Sequence, residues 1–69
     1  MDKAIEIIQR RLTAVSSDMA KLNGKIFLAK KNGEETAQLD ALHHARCCAF
    51  FALSQALREL ELTAMKEAA

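Results

Sequence analysis

Lys30-Lys31-Asn32-Gly33-Glu34-Glu35-Thr36 is the stretch whose reading decides the fold, because a chain otherwise built for helix is free to reverse there. Asn32 or Gly33 can take the left-handed conformation that closes a helix, Lys30 and Lys31 suit the negative end of a helix dipole, and Glu34 and Glu35 suit the positive end of a new helix. The turn is therefore expected at about 32–35. The chain has no proline and two glycines, and it is rich in Ala, Leu, Lys, Glu and Gln, so helix is favoured on both sides.

Upstream of the turn, Ile5, Ile8, Leu12, Val15, Met19, Leu22, Ile26 and Ala29 recur at alternating spacings of three and four. That is the seam of a coiled-coil-like helix about four heptads long, expected over about 2–31, with Asp2 and Glu6 at its start and Lys25, Lys30 and Lys31 at its end. Asn23-Gly24 is a pair that marks turns elsewhere. The spacing passes through it unshifted, which predicts a continuous helix weakened locally, and Ser16-Ser17 is a milder soft spot.

Downstream, a second helix is expected over about 35–66. Leu39, Leu42, Ala45, Ala49, Phe50, Leu53, Ala56, Leu57 and Leu60 gather on one broad stripe at 100° per residue. Arg46 falls inside it, where its stem can lie along apolar surface with the charge at an edge. Cys48, Phe51 and Leu62, with Cys47 and Met65 nearer the edge, project from a different side among His44, Gln55 and Arg58. Phe50 and Phe51 diverge by about 100°, so two bulky rings cannot share one narrow seam. A two-helix hairpin has a single internal face. The second patch (Cys48, Phe51, Leu62, Cys47, Met65 and Arg58) is thus expected to meet a copy of the chain or another protein.

These features describe one all-α domain over 1–69, an antiparallel two-helix hairpin. The expected hairpin core is Ile5, Ile8, Leu12, Val15, Met19, Leu22 and Ile26 against Leu42, Ala49, Phe50, Leu53, Leu57 and Leu60. Sixty-nine residues leave too little interior for an independent active-site cleft, and a single core of this size supplies roughly 3–5 kcal/mol. Completion by oligomerisation or by a partner protein is expected.

Charge sharpens the picture. The chain carries a formal +1, but residues 1–33 hold seven basic and three acidic side chains and residues 34–69 hold three and six. The molecule is polarised without net bias, which argues against affinity resting on many phosphates. Arg10-Arg11, Lys21, Lys25 and Lys30-Lys31 make the first helix basic, yet their spacing is scattered and aromatic stacking residues are missing, so nucleic acid is not the expected partner. The longest apolar run, Cys47 to Leu53, is seven residues and too short to span a bilayer. With no basic segment leading into an apolar run at Met1-Asp2-Lys3, and two adjacent cysteines poorly placed to pair with each other, a cytoplasmic protein with reduced thiols is expected.

The sharpest chemical cluster is His43-His44-Ala45-Arg46-Cys47-Cys48, in which His43 with Cys47 and His44 with Cys48 are i, i+4 pairs. Each pair could give two zinc ligands, whereas a structural site needs four. The remainder would have to come from a second copy, since the first helix contains neither residue type. No metal or other cofactor is expected in one chain, and packing of the cysteines as small hydrophobes is the more frequent meaning of the pattern. A Cys–His nucleophile would need a pocket that a hairpin does not provide, so no enzymatic activity is expected.

The layout resembles a known group, the small cytoplasmic co-chaperones of type III secretion needle subunits (the YscE-like family). What matches is a two-helix chain of this length, basic residues leading into a glycine turn (Lys30-Lys31-Asn32-Gly33), a polar entry with a glutamine (Glu34-Glu35-Thr36-Ala37-Gln38), and an Ala- and Leu-rich second helix from Leu39 to Leu60. Family members often carry an aromatic beside that glutamine, where this chain has Leu39. The resemblance implies a non-enzymatic role: the hairpin binds a larger helical-repeat chaperone, and together they keep a needle subunit soluble before export. The alternative is a homodimeric four-helix bundle that binds nucleic acid, similar in layout to the Rop-like proteins, or one that binds a regulatory protein.

Overall fold

The computed structural model describes residues 3–68. Asp2 and the end positions of the expected 1–69 domain lie outside them. Two helices, α1 (Lys3–Lys31) and α2 (Ala37–Ala68), pack against each other as an all-α hairpin measuring 56 × 15 × 12 Å.

The reversal is built by Gly33. Its φ of 73° lies in the left-handed region that a side chain disfavours, and it allows the next residues to fold back onto the helix end. The Glu34 amide donates to the Ala29 carbonyl at 2.8 Å, and the Gly33 amide to the Lys30 carbonyl at 3.1 Å. This nested pair is a Schellman cap, which satisfies carbonyls that α1 would otherwise leave open. On the far side, Thr36 precedes α2: its carbonyl accepts from the Asp40 amide at 2.7 Å, and its hydroxyl donates to the Asp40 carboxylate at 2.9 Å. α2 therefore begins two residues later than the expected 35, because Glu35 and Thr36 serve the connection.

α1 runs unbroken through Asn23-Gly24. A Cβ at Gly24 would meet nothing within 4 Å, and the backbone there is helical, so only the entropic cost of glycine remains. Gly24→Ala is expected to raise the unfolding free energy by about 1 kcal/mol, whereas Gly33→Ala is expected to lower it by about 1 kcal/mol through left-handed strain. Urea unfolding followed by circular dichroism checks both signs.

The seam of α1 faces α2: Ile5, Ile8, Leu12, Val15, Met19, Leu22 and Ile26 are half-buried, and Ala29 is buried at 6% exposure. On α2 the covered face differs from the stripe drawn at 100° per residue. Leu39, His43, Leu53, Leu57, Leu60 and Ala64 are half-buried, with Cys47, Ala49, Ser54 and Ala56 flanking them. Leu39, His43, Leu53, Leu57, Leu60 and Ala64 lie on a heptad track whose remaining positions, Arg46 and Phe50, are exposed, so Phe50, expected in the core, lies at its margin. Leu42, expected in the core, is instead 51% exposed, and Ala45 is exposed as well. The physical reason is that two seam positions carry polar residues. His43 is half-buried there, and Arg46 reaches across to Asp18 of α1 with Nε 3.9 Å from Oδ2. Both partners of that ion pair are about half exposed, so it orients the helices more than it stabilises them.

One polar atom on this seam is left without a partner. His43 Nε2 is buried and makes no hydrogen bond, while Nδ1 lies 3.6 Å from the Cys47 sulfur. An orphaned buried nitrogen costs on the order of 1–3 kcal/mol. His43→Leu is accordingly expected to stabilise the hairpin by about 1–2 kcal/mol, read as a higher urea midpoint with unchanged slope.

Candidate protein-interaction surface

A helix that turns one stripe toward its neighbour presents the rest of its circumference outward, and the residue types there decide what the outer face can do. On α2, His44, Cys48, Phe51, Gln55, Arg58, Leu62 and Met65 repeat at alternating spacings of four and three. They form a second track about 140° round the helix from the first, at 100° per residue. All seven are exposed; Phe51 is 65% and Met65 is 68% exposed. Such spacing is what a second helix needs in order to lie along the surface.

Cys47, expected with this group, sits elsewhere. It is half-buried beside His43 at the margin of the α1–α2 seam, because it lies one position past Arg46 on the covered track. Phe50 and Phe51 do diverge: Phe50, 36% exposed, edges the α1 side, where it lines a shallow groove of about 490 Å³ with Leu12, Thr13, Ser16, Ser17 and Ala20. On the opposite flank Arg11, Ala14, Val15, Ala49, Ala52 and Leu53 line a second open groove. Small side chains on both flanks let another helix approach closely.

Sequence reading missed the exposed apolar residues of α1. Phe27 is 68% exposed, and Leu28 and Ile7 are each more than half exposed. The signal was present: Phe27 and Leu28 follow the seam residue Ile26 and precede the seam residue Ala29, so neither can lie on the seam. Apolar surface therefore emerges from both helices.

No family model, curated protein or solved structure matches this chain. The surface must be read on its own chemistry.

That chemistry is dominated by what is not covered. Among the described residues Ala29 is the only side chain classed as buried. The accessible surface is 5510 Å², against roughly 4,300 Å² expected of a compact monomer of this mass. The surplus of about 1,200 Å² follows from the elongated 56 × 15 × 12 Å shape, which leaves long faces of both helices open to solvent. Among the described residues no helix is long and apolar enough to cross a membrane.

Proposed function

We propose that this chain is a non-enzymatic interaction module: a small co-chaperone whose hairpin is completed by a larger helical partner, in the manner implied by its resemblance to type III secretion needle co-chaperones. The observation that carries the reading is the near-absence of buried side chains beside exposed Phe27, Phe51, Leu62 and Met65. A hairpin with this distribution gains most of its stability by lending apolar faces to another protein. Binding to the folded form then stabilises both chains by mass action.

Within that role the outer track of α2 docks on the larger chaperone, with Phe51 and Leu62 as anchors and Arg58 between them. Covering the amphipathic helix of a needle subunit in a shared groove would oppose its self-assembly before export. The test is co-expression with a helical-repeat chaperone and a needle subunit of one secretion system, followed by size exclusion with light scattering. A stoichiometric complex in which the needle subunit stays monomeric is the expected result. A chain that instead forms a fully helical, concentration-independent homodimer and ignores both proteins would overturn the reading.

A further inference from the structure

We propose that His44 and Cys48 are half of a zinc site, completed by the same two residues of a second copy of this chain. The first ground is distance. In a tetrahedral zinc site with a metal–sulfur bond near 2.3 Å and a metal–nitrogen bond near 2.0–2.1 Å, the two donor atoms stand about 3.5 Å apart. The Cys48 sulfur and the His44 Nε2 stand 3.6 Å apart, one helical turn from each other on the exposed outer track. The pair is already spaced as a chelate.

Position separates this pair from its neighbour. His43 and Cys47 show the same 3.6 Å spacing, through Nδ1, but both are half-buried against α1 and the free ring nitrogen is buried. That pair belongs to the hairpin seam. His44 and Cys48 face outward, with Nδ1 of His44 left to take a supporting hydrogen bond.

A second copy is the occupant that the chemistry requires. Among the described residues no group of three or more His, Cys, Asp and Glu side chains could hold a metal within one chain. A two-fold axis beside the pair brings two imidazoles and two thiolates onto one ion, a ligand set that suits zinc and not magnesium or calcium. On binding, each Cys48 thiol gives up its proton, so two protons leave per ion and the assembled site is neutral. Phe51, one turn from Cys48 on the same track, is exposed and stands beside the pair. The inference concerns the isolated chain: because His44, Cys48 and Phe51 share the outer track assigned above to a partner, the zinc-linked dimer and the partner complex are exclusive states of one face, and the titration is made without any partner present.

The test is a titration of the purified chain with Zn²⁺, and with Co²⁺ as a spectroscopic probe, under a non-thiol reductant that prevents disulfides. Binding of one ion per two chains is expected, with a doubled mass by light scattering and with thiolate charge-transfer and tetrahedral d–d absorption for cobalt. Cys48→Ser and His44→Ala should each abolish the absorption while leaving helicity intact, and Cys47→Ser should leave it unchanged. Absence of the cobalt bands, one ion per chain without dimerisation, or loss of the site in Cys47→Ser but not in Cys48→Ser would each overturn the proposal.

Discussion

Phe51→Asp is expected to leave the isolated hairpin as helical as the unsubstituted chain and to abolish the complex with a helical partner that we propose for it. Phe51 is 65% exposed and lies on the outer track, so an aspartate there meets water in the free chain. In a complex the same carboxylate would be desolvated without a counter-charge, after loss of an aromatic anchor that alone is worth about 2 kcal/mol or more. Affinity should fall by at least about thirtyfold. Light scattering of the co-expressed proteins reads the loss, and circular dichroism reads the helix. If Phe51→Asp unfolds the isolated chain, the outer track is part of the hairpin's own core and the interaction reading fails.

Leu57→Asp should do the reverse and unfold the hairpin itself. Leu57 is half-buried on the seam of α2, in the run Leu53, Leu57, Leu60 that faces α1. Placing a carboxylate there forfeits about 1–2 kcal/mol of apolar burial and adds the cost of partly desolvating a charge. Against a total of roughly 3–5 kcal/mol for a core of this size, little stability remains. Loss of helical ellipticity without any partner present is the expected result. The contrast with Phe51→Asp separates the two faces of one helix.

The sequence made α1 legible and α2 only in part, and the difference lies in what occupies the seam. In α1 all eight seam positions are apolar, so counting spacings finds the buried edge from Ile5 to Ala29. In α2 the covered track passes through His43 and Arg46, which count as polar although their stems can pack. An apolar stripe drawn past them swings toward Leu42 and Ala45, which are exposed. The turn was readable because Gly33 and the flanking charges act locally, while the choice between Asn32 and Gly33 needed the backbone. The outer track was visible as Phe51, Cys48 and Leu62. Phe27 and Leu28 escape the pattern because the seam from Ile5 to Ala29 is complete without them, so its spacing assigns them no face.

The cap at Gly33 also orders events in time. Contacts beside it join residues close in the chain, such as those around Ala29 and Leu39, whereas contacts near Ile5 and Ala64 must close a loop of nearly the whole molecule. Loop entropy therefore favours zippering outward from the turn. Ala29, the single buried side chain among the described residues, sits at that closed end. Opening should begin at the opposite end, beside Ile5 and Ala64, and slow amide exchange should concentrate around the turn. A hairpin that frays from one end only can be held by its turn while its open arms are peeled apart and rewound around another chain.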